Sequence, residues 1–274
     1  MNGYDIEREN ELHPGYLAEL PTAAPLTDLV KFSYSETAID PRDTIRIEHQ
    51  GGMGACQGHA LSSIVEWCYM LQTGDVDGVQ LSRAAAYFET QRIDRIRGDR
   101  GSTISGGVKL ARIWGVPDES LWPYPSRYDT DRPDNWEAVT ASAHTHKIAN
   151  AVKVTDYEQA RAFVGSNVGG ISIGVRWSRN YGAVIDRAHK GNGGHAVALI
   201  SLSKRKDKDG LPYLWLLNSW GTRWGNRGWA EVSPAALRAW LRDSFTTAIG
   251  LTEMPNLQPR EFDSETWAGR LSVI

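Results

Sequence analysis

The sequence predicts an α+β fold of two lobes, a helical one followed by a mostly antiparallel β-sheet or barrel, with a cleft between them. Three observations carry this. Apolar residues recur at three- and four-residue steps through 56–72 and again around 104–114. Short β-rich runs at Gly170–Val175, Ala196–Leu202 and Tyr213–Asn218 follow in the second half. A helical half thus precedes a mostly antiparallel β half, the arrangement of an α+β protein.

Each element has its own warrant. Residues 1–44 hold Pro14, Pro21, Pro25 and Pro41 with little periodicity, and read as an irregular lead segment lying over the body. Over 56–72, Ala60, Leu61, Ile64, Val65, Trp67, Cys68 and Leu71 form a wide stripe, so this helix is expected to be central and largely buried. Ser82 reads as the cap of a second helix. The third, over 104–114, stops at Gly115 and Pro117. Residues 146–155 alternate like a strand, with His144 and His146 expected on one strand face, and a short helix follows over 156–165. Lys204 to Gly210 reads as a charged loop between the last two β-runs. The organisation expected is a lead segment (1–44), a helical lobe (45–130), a β lobe (131–252) and a polar tail (253–274).

Composition bounds the function. The chain has 274 residues, 41% hydrophobic and 23% charged, the profile of a folded globular protein with two lobes. A net charge of -3 gives no reason to expect nucleic acid or an anionic membrane as partner. No apolar run is long enough to span a bilayer. The first ten residues lack a basic region and an apolar core, so no secretory signal is read there. Cys56 and Cys68, twelve residues apart on one helix, would be separated by roughly 18 Å along its axis, too far for a disulfide. A reduced, cytoplasmic protein is the expectation. Oligomeric state is not legible.

The chemistry lies in three blocks. Gln50-Gly-Gly-Met-Gly-Ala-Cys56 opens the central helix, Gly193-Gly194-His195 opens a buried strand, and Asn218-Ser-Trp220-Gly…Trp224-Gly…Gly228-Trp229 follows. A thiol at a helix N-terminus has its pKa lowered by the helix dipole and by a nearby imidazolium. His195, brought across the cleft, would form the ion pair with Cys56 and later protonate a leaving amine. The Asn218 side-chain oxygen would orient the imidazole. The Gln50 side-chain amide and the Cys56 backbone N–H are the expected oxyanion donors. These parts are those of nucleophilic acyl transfer, with no metal or cofactor. Two plainer readings stand beside this one. Cys56 can be an ordinary buried cysteine, as Cys68 is expected to be. His59, three residues after Cys56, can compete with His195 as partner. The pair His144 and His146 lacks further ligands nearby and is not read as a zinc site.

These blocks, in this order, resemble the papain-like cysteine peptidases, family C1, over roughly residues 40–250. The spacing of 139 residues from Cys56 to His195 falls within the family's range of about 130–150. The resemblance implies a thiol protease that hydrolyses protein or peptide substrates, with Cys56 as nucleophile, His195 as base, Asn218 as orienter and Gln50 as oxyanion donor. It also implies that Trp220 shields the His–Asn hydrogen bond. Gly101 and Ser102 fall where the family binds substrate backbone, and Gly194 lies on the same substrate-facing rim. The chain departs from the pattern at Met53, where a disulfide-bonded cysteine is usual, and at Gln57, where an aromatic is usual. The lead segment is shorter than the family's propeptides, so either activity is controlled otherwise or this segment itself occludes the site. A related amidase or transpeptidase, or a silent peptide-binding homologue, are the alternative functions.

Overall fold

The computed structural model describes residues 3–4, 6–23, 39–75, 77–191, 193–252 and 254. Within its described residues, the lead segment carries more regular structure than its prolines suggest. It forms helix α1 (Ile6–Leu12), a single turn α2 (Tyr16–Glu19) and a 3-10 turn (Pro41–Asp43). Helix α3 (Cys56–Thr73) starts at the nucleophile candidate, as the apolar stripe predicts, and ends on Gly74 in the left-handed conformation. Helix α4 (Arg83–Ile93) is capped by the Ser82 hydroxyl, which accepts from the Ala85 N–H. Helix α5 (Ile104–Ile113) is capped by Thr103. Arg83 and Glu66 form a buried two-point ion pair that ties α4 to α3.

Helix α6 (Trp136–Thr145) occupies a stretch for which the sequence gives no element. Its Val139 and Ala143 are buried, and Trp136 stacks on Trp114 at 5.4 Å. This helix packs on the helical side, its Val139 clustering with Ala84 and Phe88. The strand expected over 146–155 shrinks to β1 (Asn150–Lys153). His144 lies in the last turn of α6 and His146 caps it, so the pair does not share a strand face. Tertiary packing against the Trp114 cluster outweighs the local alternation there.

Helix α7 (Tyr157–Gly165) precedes β2 (Gly169–Trp177), β3 (Val184–Ile185), β4 (Gly193–Lys206), β5 (Pro212–Leu217) and β6 (Trp229–Val232). Helix α8 (Pro234–Arg242) and β7 (Thr247–Thr252) complete the described fold. The expected charged loop begins late, because β4 runs to Lys206. The strand order is β1-β7-β2-β4-β5-β6-β3, antiparallel except for the short β3–β6 pair. Among the described residues the sheet is open, with β1 and β3 at its edges, and does not close into a barrel. Of the expected tail, only Met254 lies within the described residues.

Alternation along β4 separates two cores. Ala196, Ala198 and Ile200 face α3, and their small side chains let that helix lie close to the sheet. Val197, Leu199 and Leu202 face α7 and α8. This alternation sets His195 at the strand's entry, on the side of Trp177, with Ala196 turned toward the first turn of α3.

Candidate active site

The site forms where the N-terminus of α3 meets the start of β4 and the end of β5. No side chain caps the first turn of α3, so its amides remain for the sulfur. The Ala196 N–H donates to Cys56 Sγ at 3.3 Å, which sets the thiol against the strand residue next to His195. The Nε2 nitrogen of His195 lies 2.7 Å from Asn218 Oδ1. Donation from Nε2 leaves Nδ1 as the ring nitrogen able to exchange a proton. Asn218 Oδ1 also accepts from the Ser219 N–H at 2.8 Å, which fixes its amide plane.

Gln50 bridges the two lobes. Its Oε1 accepts from Ser219 Oγ at 2.6 Å and its backbone N–H donates to the Ser219 carbonyl at 2.8 Å. One proton of its Nε2 is given to the Met53 carbonyl, leaving the second for a substrate oxyanion. The Tyr124 hydroxyl donates to the Gln50 carbonyl, and Asp99 holds the Gly54 N–H, so the loop before Cys56 is pinned on both sides. Two indoles bracket the imidazole. Trp220 lies at 4.9 Å from the His195 ring, and Trp177 at 4.7 Å edge-on. The sequence points to Trp220 alone. Trp177 pairs across β2–β4 with Gly193, a register that no single-strand pattern encodes.

Gly3 and Tyr4 lie in the groove. Tyr4 bridges Ser102 on one wall in parallel and Gly194 on the other antiparallel, and the Ser102 N–H donates to the Gly3 carbonyl at 3.1 Å. Gly101, Ser102 and Gly194 thus engage peptide backbone, though the backbone is internal. A Cβ on Gly3 would lie 2.5 Å from the Gly54 oxygen and 2.6 Å from Cys56 Sγ. A Cβ on Gly194 would overlap the Tyr4 carbonyl. Only glycines allow so close an approach.

Cover and burial set the electrostatics. Burial pushes the Cys56 thiol up to about 12, against the hydrogen bonds from the Ala196, Gln57 and Cys56 amides, which lower it. Burial pushes His195 down to about 4, while its hydrogen bond to Asn218 raises it. In the covered groove the pair is held neutral. His59 is also buried, and neither of its ring nitrogens has a hydrogen-bond partner among the described residues. Cys68 is buried in the α3 core, its thiol donating to the Leu251 carbonyl. Neither cysteine is in a disulfide.

A family model described as papain family cysteine protease matches residues 36–239. The chain belongs to this family. Xylellain, a cysteine protease from Xylella fastidiosa, has a similar structure, with a TM-score of 0.68 at 18% identity, covering 86% of this chain and 92% of that one. The proform of the ragweed pollen cysteine protease Amb a 11 superposes with a TM-score of 0.65 at 19% identity over 93% of this chain and 76% of that one. Among curated relatives, cathepsin R of Mus musculus is 24% identical over 197 residues, 68% of this chain and 56% of its own length. A viral cathepsin of Lymantria dispar multicapsid nuclear polyhedrosis virus is 26% identical over 195 residues, 68% of this chain and 50% of its own length. The chain thus spans about half the length of the curated relatives it matches.

Proposed function

We propose that this chain is a cysteine endopeptidase that hydrolyses peptide bonds through a thioester intermediate. The carrying observation is the alignment of three groups: Cys56 against the strand of His195, and His195 hydrogen-bonded to Asn218 at 2.7 Å. In an open groove the Cys56 proton passes to His195 and the thiolate attacks the substrate carbonyl carbon. The oxyanion takes hydrogen bonds from the free Gln50 Nε2–H and the Cys56 N–H. Collapse breaks the C–N bond, and the amine leaves with the proton from His195. His195 then takes a proton from water, whose hydroxide attacks the thioester. The acid is released and the thiol restored.

The substrate class follows from what the groove now holds. It accepts extended main chain between Ser102 and Gly194, the recognition a peptide requires and a small amide does not. The Tyr4 ring lies over Gly174, where any Cβ would overlap it, and edge-on to Phe245 at 5.7 Å. This supports preference for an aromatic side chain at that position of a substrate.

The same contacts support a second part of the reading: the lead segment acts as a cover, with Gly3 and Tyr4 in the groove. Stoichiometric labelling of Cys56 by a peptidyl epoxide, after the lead segment is removed or displaced, tests the whole. Labelling and peptide cleavage, both lost in Cys56→Ala, are expected. An uncovered wild-type chain that neither labels nor cleaves sinks the peptidase reading.

A further inference from the structure

Behind the His195–Asn218 pair lies a small cavity of about 10 Å3, lined by Glu48, His59, Ser63, Ala196, Asn218 and Ser219 among others. That is the space one water centre needs. Two buried side chains on its wall are incompletely satisfied. Asn218 uses its oxygen for His195 and Ser219, but its Nδ2 has no partner among the described residues. His59 has neither ring nitrogen partnered there, though it is only 3% exposed. A buried polar atom without a partner is costly, and two facing one water-sized space call for a shared one.

We propose that this cavity holds one ordered water that accepts from Asn218 Nδ2–H and donates to a ring nitrogen of His59, making His59 a positioning residue for the Cys56–His195 pair. Ser63 also lines this wall. The proposal rests on the cysteine–histidine reading above for its functional consequence, but not for the water itself. The acceptor role requires a neutral imidazole. Burial lowers the His59 pKa well below 6.5, and Arg83 from α4, His49 from the preceding loop and His195 from β4 push it the same way. Glu48 is the acidic group on the cavity wall. The His59 ring also packs edge-on to Tyr124 at 4.8 Å, whose hydroxyl holds the Gln50 carbonyl. One side chain thus braces both the orienting amide and the oxyanion loop. With Asn218 held at both ends, the His195 imidazolium is stabilised and the thiolate forms at lower pH.

The test has two arms, both on the full chain. A crystal structure that orders waters is expected to hold one within hydrogen-bond distance of Asn218 Nδ2 and a His59 nitrogen. An empty or apolar space there overturns the proposal. The second arm, run in a Tyr4→Ala background that uncovers the groove, follows alkylation of Cys56 by iodoacetamide against pH, located by peptide mapping. In His59→Phe the inflection marking thiolate formation is expected to rise by about one unit, a tenfold slower reaction at a fixed pH below it. His59→Gln, which can still bond the water, is expected to keep the wild-type inflection, and it carries the arm if His59→Phe does not fold. An inflection that stays put in His59→Phe, or moves equally in His59→Gln, overturns the positioning role. A wild-type profile that His195→Ala leaves unchanged fails the cysteine–histidine reading instead, and the crystallographic arm still decides the water.

Discussion

The lead segment meets the body at two places whose chemistry differs. In the groove, Gly3 and Tyr4 are held by main-chain pairing and a buried aromatic ring. Farther along, α1 meets the N-terminus of α5 through charge. The Glu9 carboxylate accepts from the Ile104 and Ser105 amides at 2.7 and 3.0 Å, two first-turn donors other than the Gly106 amide that the Thr103 cap takes. His13 Nε2 bonds Asp94 at 2.8 Å, and the Lys109 ammonium donates to its Nδ1, which fixes the tautomer. The contrast separates occupancy from attachment. Backbone pairing with glycines decides whether the groove can be filled, and the buried carboxylates decide how firmly the filler is tethered.

Two substitutions break this contrast from either side. Tyr4→Ala removes a ring that is 1% exposed. Truncating a buried aromatic costs about 3–5 kcal/mol, so epoxide labelling of Cys56 is expected to accelerate by at least about a hundredfold. Glu9→Ala leaves two buried amides unpaired, a cost of about 1–3 kcal/mol, and labelling should rise by about tenfold. Rates measured by mass spectrometry on both variants decide the order. If Glu9→Ala opens the groove more than Tyr4→Ala does, tether and filler have been assigned the wrong way round.

The same contrast explains what was legible in the sequence. Helix α3 was readable from residue 56 because a glycine-rich loop precedes a wide apolar stripe. Ser82 and Gly115 marked their helix ends by local chemistry. Cys56, His195, Asn218 and Gln50 were readable because each stands in a block whose neighbours repeat the signal. Helix α1 was not, since IERENEL shows no apolar stripe, and its buried Glu9 makes sense only against the amides of α5. Helix α6 buries just Val139 and Ala143, too little to register against the alternation beyond it. Tyr4 and His59 act through partners far along the chain, at Gly194 and Tyr124, and His59 also through a shared cavity. Such contacts have no local period. Trp177 is the exception in distance, 18 residues from His195, but the hairpin register that joins them is set by the whole sheet.

The smallest effect concerns pH, where the two regions work in opposite directions. Burial holds His195 down at about 4, below its ordinary 6.5. Its contribution to the stability of the covered fold is therefore present above pH 6.5 and lost as pH falls toward 4. Burial raises Glu9 above its ordinary 4.5, despite the two amides that lower it. Its contribution is present below 4.5 and lost as pH rises through the raised value. Acid thus loosens the groove while tightening the tether. Glu9→Gln removes the opposing titration, so its melting temperature should fall more steeply than that of the wild type between pH 7 and pH 5. A term of 1 kcal/mol corresponds to about 2–4 °C in a chain of this size, which sets the difference to look for. Parallel Tm curves for the two proteins would mean that Glu9 does not titrate in this range, and that the tether is carried by the His13–Asp94–Lys109 contacts instead.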